Sequence, residues 1–295
     1  MAVQGEKILM KTIRTIDEMA DVAVTLKLGK KTVGLVPTMG FLHEGHLSLV
    51  RESLKETEVT VVSLFVNPTQ FGPAEDFREY PRDLNRDSEI LENLGVDYLF
   101  YPADIEMYPP NYRTFVEVHD LQDKLCGKAR PGHFRGVCTV VLKLFNIIQP
   151  DMAFFGQKDA QQVIILKKMA EDLNFPVAIS ALPIVREKDG LALSSRNVYL
   201  NKDQRHAALC LYKSLQEAKR MLCSGERKTD PILRKMKDVI LAESETRIDY
   251  VAIVDTDSLE PIEEVSKECL IVLAVFVGRV RLIDNMWIHN SATGV

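Results

Sequence analysis

The feature that most constrains the fold is a change of period. Two tracts rich in β-branched and aliphatic residues, Thr32–Val36 and Val59–Val66, flank a stretch in which Leu47, Val50 and Leu54 recur at helical spacing. Strand, helix, strand at this spacing is a βαβ unit, whose strands pair in parallel through a right-handed crossover. The alternation predicts further helices at Leu84–Leu94, Val137–Ile148 and Asp159–Leu173, and strands at Tyr98–Tyr101 and Met152–Phe155. Such a chain builds a doubly wound, parallel α/β sheet, with ligand loops at the strand C-termini.

After the strand-like "VAISALPIVR", Val177 to Arg186, the rhythm changes. Two long helical patterns, Lys202–Leu222 and Asp230–Glu243, precede three strand-like runs at Ile248–Val254, Leu270–Val277 and Val280–Asp284. Strands that follow one another without helices favour antiparallel pairing, so a smaller C-terminal α+β domain is expected, dividing the chain into 1–185 and 186–295.

Composition then narrows the classes. With 295 residues, 46% apolar and 27% charged, the chain is globular and large enough for two domains. The net charge of −5 arises from interleaved acids and bases, giving no footprint for nucleic acid. Five cysteines without a CxxC pair suggest neither a disulfide framework nor a zinc cluster, and fit a reduced cytoplasmic setting. The N-terminal "MAVQGEKILMKTIRTIDEM" lacks the apolar core of a signal peptide and reads as a short tail leading into the first strand. The longest apolar run, Cys269 to Val277, is half of what a bilayer needs, so it reads as a buried strand and no membrane partner is expected.

At the first strand's end stands "VPTMGFLHEGHLSLVRES". Pro37, Thr38 and Gly40 break the strand, and a helix is expected to begin near His43 or Glu44. That places His43 and His46 on the first helical turn, where unpaired N–H groups and the helix dipole favour an anion. Gly45 between them would let a ligand approach the backbone closely. Zinc is disfavoured, because a zincin H-E-x-x-H spaces its histidines at i and i+4 and no third ligand is near. A capped surface helix carrying two histidines is the bland alternative. There is no G-x-x-x-x-G-K-[ST] and no G-x-G-x-x-G after a strand, so a bound nucleotide would depend on the imidazoles and the helix N-terminus.

Four further stretches add polar groups. "SLFVNPTQF" offers the amides of Asn67 and Gln70, although Asn67-Pro68 is also ordinary turn chemistry. In "FFGQKDAQQ", Gly156 permits a turn, Lys158 places a cation at a strand end, and Asp159 can cap the helix. Of Gln161 and Gln162 only one can face the cleft. "LALSSRN" brings Ser194, Ser195 and Arg196 together, with Ser194 or Asn197 as an alternative helix cap. "CGKARPGHFRGV" carries the cations Lys128, Arg130 and Arg135, with His133 as a fourth candidate. No Ser-His-Asp or Cys-His set is evident, which leaves chemistry by positioning and electrostatics.

Taken together, "PTMGFLHEGH", "FVNPTQF", "RPGHFRGV…FGQKDAQQ" and "LSSRN" resemble the pantoate–β-alanine ligase family of HIGH-type nucleotidyltransferases. The resemblance implies a Rossmann-like sheet with a smaller C-terminal domain, a cytoplasmic homodimer, and an ATP- and Mg2+-dependent condensation of pantoate with β-alanine through a pantoyl adenylate. It implies His46 as the proton donor with His43 beside it, and Lys158 and Arg196 neutralising charge. ATP would lie against Met39, Gly40, Phe41, Leu42, His43, Glu44, Gly45 and His46, Gly156, Gln157, Lys158 and Asp159, Val185, and Leu193, Ser194, Ser195 and Arg196. Gln70 would contact pantoate and β-alanine, and Gln162 pantoate. Asn67, Arg130, His133 and Arg135 rank second, and Asp87 is a candidate metal ligand. The chain departs from the family's common residues at Gln157, often Glu, at Ala160, often aromatic, and at Phe41, often smaller.

Two other classes compete. A nucleotidyltransferase that hands AMP or CMP to a phosphate-bearing acceptor would need cations where Gln70 and Gln162 stand. A non-catalytic nucleotide sensor would be marked by loss of His46, Lys158 or Arg196, and all three are present.

Overall fold

The computed structural model describes residues 9–73, 75–266 and 268–289. The elements run β1 (Lys11–Ile13), α1 (Ile16–Leu28), β2 (Val33–Thr38), α2 (Glu44–Glu56), β3 (Val59–Leu64), α3 (Leu84–Leu94), β4 (Tyr98–Phe100), α4 (Asp104–Met107), α5 (Leu125–Ala129), α6 (His133–Ile148), β5 (Met152–Gly156), α7 (Ala160–Asp172) and β6 (Ala178–Leu182). Then follow α8 (Lys202–Ala207), α9 (Leu209–Cys223), α10 (Thr229–Leu241), β7 (Thr246–Val254), β8 (Cys269–Val277) and β9 (Val280–Ile288).

The first six strands form one sheet in the order β1-β4-β3-β2-β5-β6, and every pairing in it is parallel. Its strands are apolar on both faces because both are covered. In β3, Val59 and Val61 join the core shared with α1, α6 and α7, while Val62 and Leu64 join the core beneath α2 and α3. The chain steps outward from β2 to β3 and β4 in one direction, and from β5 to β6 in the other. The sheet therefore reverses between β2 and β5, and loops leaving those two strands diverge to opposite faces, opening a crevice.

The second sheet, β7-β8-β9, is antiparallel. β8 is the long apolar run of the sequence, and its two faces serve different cores. Ile271, Leu273, Val275 and Val277 pack with α9 and α10, whereas Leu270 and Val272 pack into the core of the first sheet. All five cysteines are free; four are buried and Cys223, the last residue of α9, is exposed. Among the described residues no helix is long and apolar enough to cross a membrane.

Four expectations need correction. The supposed N-terminal tail contains β1 and the first turn of α1, and only its residues 1–8 lie outside the described residues. A three-residue strand has no period to detect, and α1 buries only Met19 and Ala23, too thin a stripe to read. The expected helix Lys202–Leu222 is two helices meeting at Ala208. β6 ends at Leu182, since Pro183 has no N–H for a ladder. β9 continues beyond Asp284 to Ile288 and buries Asp284 and Asn285 within it.

Candidate active site

The β2–α2 junction faces the crevice. Gly40 and Phe41 take left-handed backbone conformations with φ of 87° and 51°, and the next turn is braced from below by Asp87. Its buried carboxylate accepts the N–H groups of Phe41 at 2.6 Å and Leu42 at 2.9 Å. Burial raises the Asp87 pKa against the pull of those two bonds. Both carboxylate oxygens are thus taken up in holding the loop, and the Phe41 and Leu42 amides are committed to Asp87.

α2 begins at Glu44 with His43 as its N-cap. The Nδ1 of His43 accepts the Gly45 N–H at 3.2 Å, and the Nδ1 of His46 accepts the His43 N–H at 3.3 Å. The two rings lie 4.0 Å apart. Because each Nδ1 accepts a backbone proton, each neutral ring carries its own proton on Nε2. Burial, then the positive charge of Lys158, lowers the His43 pKa to about 4. Burial, then His43 and Lys158, lowers that of His46 to about 3. Two neutral Nε2–H donors result. A Cβ on residue 45 would lie 2.9 Å from the His43 ring, so Gly45 makes room for that imidazole rather than for a ligand. Glu44 points outward and pairs with Arg51.

A cavity of about 180 Å³ is lined by Thr38, Met39, His46, Gln70, Tyr80 and Gln162 among others. A second, of about 80 Å³, is lined by Lys158, Ser194 and Asn285. Arg130, His133, Asp159, Gln162 and Arg196 belong to both, so the two are compartments of one site. Lys158 stands on the turn Gln157–Asp159 that follows β5, and its ammonium has no hydrogen bond or ion pair among the described residues. Asp159 occupies the N-cap position of α7 without a side-chain capping bond, contrary to expectation.

The two adjacent glutamines separate as their helical positions require. Gln161 is buried, accepting from Cys126 N–H and donating to the carbonyls of Leu121 and Lys124. Gln162 faces both cavities. Gln70 donates to the Met39 sulfur at 3.3 Å and accepts from Asn67 at 3.0 Å. Asn67 itself is buried and turned inward, with bonds to Gly136, Thr69 and Tyr108 as well, so it braces the loop instead of presenting a free amide. His133 is no cation: burial, then Arg130, lowers its pKa to about 4. It bridges the Gln70 carbonyl at 2.8 Å and Arg130 at 3.0 Å. Arg135 is exposed, stacks on Phe115 and does not reach the site, and Lys128 is exposed as well.

One loop supplies partners for both arginines. Asp76 holds Arg196 bidentately, both bonds 2.9 Å, and Glu75 holds Arg130. Burial opposes the ionised form of each acid, but the arginine bonds prevail and leave both pKa values lowered. Ser194 caps the short turn Ser195–Tyr199 by accepting the Arg196 N–H, and Ser195 shares a hydrogen bond with Tyr80. Leu193 N–H donates to the Val185 carbonyl, bringing those two expected ATP contacts onto one wall. Glu75, Asp76, Tyr80 and Asn285 were missed by sequence reasoning. The acidic pair in "PAEDF" and the polar Asp284-Asn285 inside an apolar strand were the available signals.

A doubly wound parallel sheet with neutral histidines at the N-terminus of the helix after β2, and an unpaired lysine after β5, defines an α/β enzyme of the HxGH nucleotidyltransferase class. The family model described as Pantoate-beta-alanine ligase matches residues 11–287, and the chain belongs to the pantoate–β-alanine ligase family. Membership makes it a ligase of pantothenate synthesis, joining pantoate to β-alanine. It is 56% identical over 277 residues to the pantothenate synthetase of Thermosipho africanus, covering 94% of this chain and 99% of that one. To the Fervidobacterium nodosum pantothenate synthetase it is 55% identical over 280 residues, 95% and 100% of the two chains. A crystal structure of the Thermus thermophilus pantothenate synthetase superposes with a TM-score of 0.90 at 44% identity, over 94% of this chain and 99% of that one. A Francisella tularensis pantoate-beta-alanine ligase, solved with beta-gamma ATP and beta-alanine, gives 0.77 at 33% identity, over 94% and 97%.

Proposed function

We propose that the chain condenses (R)-pantoate, β-alanine and ATP into pantothenate, AMP and pyrophosphate through a pantoyl adenylate. The observation that carries this reading is the pair of neutral Nε2–H donors within the electrostatic reach of Lys158, whose ammonium has no partner among the described residues. In the first step a pantoate carboxylate oxygen attacks the α-phosphorus and pyrophosphate leaves, so negative charge grows on phosphoryl oxygens. A pre-oriented N–H donor or ammonium is worth most at that moment. His46 is the primary donor, with His43 beside it. Burial holds His46 neutral in the free site, so what it offers the developing charge is the hydrogen of its Nε2–H. Lys158 and Arg196 neutralise charge.

Gln70 and Gln162 both line the larger cavity as uncharged groups suited to a hydroxy acid, and Gln70 also meets β-alanine. In the second step the β-alanine amine attacks the acyl carbon, and AMP departs as the leaving group. ATP contacts would come from Met39 to His43 and from His46, with Glu44 turned out to Arg51 and Gly45 filled by the His43 ring, and from Gly156 to Asp159, Val185, and Leu193 to Arg196. Among the described residues no group of three or more His, Cys, Asp or Glu could hold a metal ion. With Asp87 engaged by backbone amides, Mg2+ enters with the ATP phosphates as part of the substrate.

We also assign residues 1–185 to an ATP- and pantoate-binding domain and 186–295 to a smaller domain closing over the site. A cytoplasmic homodimer fits the family, and the unpaired cysteines fit a reducing compartment. The test is exchange of labelled pyrophosphate into ATP. Exchange that needs pantoate but not β-alanine supports a free adenylate, and its absence in a preparation that makes pantothenate would refute one.

A further inference from the structure

The turn that carries Lys158 is held from outside its own sheet. Asn285, on β9 of the antiparallel sheet, donates its Nδ2–H groups to two successive carbonyls, Gln157 and Lys158, each at 2.9 Å. The donor is itself fixed. Its backbone N–H donates to Asp284 Oδ1 at 2.8 Å, and Asp284 is bound bidentately by Arg186 at 2.6 and 2.8 Å. Arg186 in turn donates to the Gly190 carbonyl. It follows Val185, whose carbonyl accepts from Leu193. A continuous polar strut therefore runs from the Val185–Leu193 wall, through Asp284 and Asn285, to the Gln157–Lys158 wall.

The orientation of the amide has a cost that identifies its role. Asn285 is buried, yet its Oδ1 has no hydrogen-bond partner among the described residues. A flipped amide would set that oxygen against two carbonyl oxygens, which is worse than leaving one acceptor unpaired. The two donated bonds thus decide the side chain's pose, and they converge on the peptide from which Lys158 projects.

We propose that Asn285 is a positioning residue for Lys158, aiming its ammonium at the transferring phosphoryl group and making adenylation depend on seating of the C-terminal sheet. This rests on the reading of Lys158 as a catalytic group. With the donors removed, the two carbonyls are freed to turn, and Lys158 loses its aim while the rest of the lining of both cavities persists.

The experiment measures kcat and KM for ATP, pantoate and β-alanine in Asn285→Ala, Asn285→Asp and Lys158→Ala, with the folded fraction of each followed by circular dichroism. Asn285→Ala should lower kcat about tenfold or more while moving each KM less than about threefold. Asn285→Asp keeps the size but turns an acceptor on the carbonyls. Its neighbours are Asp284, held by Arg186, with Lys158 and Asp159 on the opposing turn and Arg130, His133, Arg196 and Arg281 in the same cavity. Protonation would restore one donor, so its kcat relative to wild type should rise as pH falls. Wild-type kcat in folded Asn285→Ala, or a flat ratio in Asn285→Asp, overturns the proposal. Near-normal turnover in Lys158→Ala would instead overturn the reading of Lys158 itself.

Discussion

His43 and His46 carry the same ring and are fixed by opposite devices: one accepts an amide two residues ahead, the other an amide three residues behind. Each device spends Nδ1 on the backbone and leaves Nε2–H as a donor, and His46 is the ring that lines the larger cavity. His46→Ala should therefore reduce kcat about a hundredfold, the scale of losing one preorganised donor, while weakening ATP binding far less. Equal losses in steady-state kinetics would make it a ground-state binding residue. The same burial shapes stability. With pKa values of about 3 to 4 for His46, His43 and His133, the unfolded chain binds more protons than the folded one from an ordinary histidine pKa of about 6.5 downward. Stability from these groups is complete above about pH 6.5 and is lost progressively as pH falls toward 4. The melting temperature should drop over that window, and less steeply in His133→Asn, whose side chain does not titrate.

At the scale of elements, the site is made where strands hand over to loops, and close backbone approach sets its dimensions. Gly136 in α6 lies so near the Thr69–Gln70 backbone that a Cβ there would sit 2.5 Å from the Thr69 oxygen. Gly136→Ala should push Gln70 out of register and lower kcat/KM for pantoate about tenfold with a smaller change for ATP, as initial rates with each substrate varied would show. The β2–α2 and β5–α7 junctions were legible before the structure, because a switch from strand to helical period is a local signal and the polar residues stand at it. Gln162 and Lys158 could be placed for that reason. β1 could not, since a three-residue edge strand exists only through its pairing with β4. Nor could the inward turn of Asn67, which depends on Gly136 and Tyr108, residues 69 and 41 positions away.

For the whole molecule, the two sheets are joined by apolar packing and by several polar bonds. The apolar contact, Leu270 and Val272 of β8 in the first core, is foreshadowed by an unbroken hydrophobic run. The polar bonds, those of Asn285 to the Gln157–Lys158 turn and the Arg186–Asp284 pair behind them, join residues 98 or more apart and leave no local trace. Asp284 has a side chain only 2% exposed. Arg186→Ala would strand that carboxylate, and urea unfolding should show a loss of about 3 kcal/mol. An unchanged midpoint would mean that water replaces the guanidinium. Elsewhere on the surface, Cys223 ends a helix that packs on the second sheet, lines neither compartment of the site, and is the one accessible thiol among five. A maleimide dye should therefore couple at a single defined point per chain, making the native sequence its own reporter for fluorescence measurements of how the two sheets move during turnover.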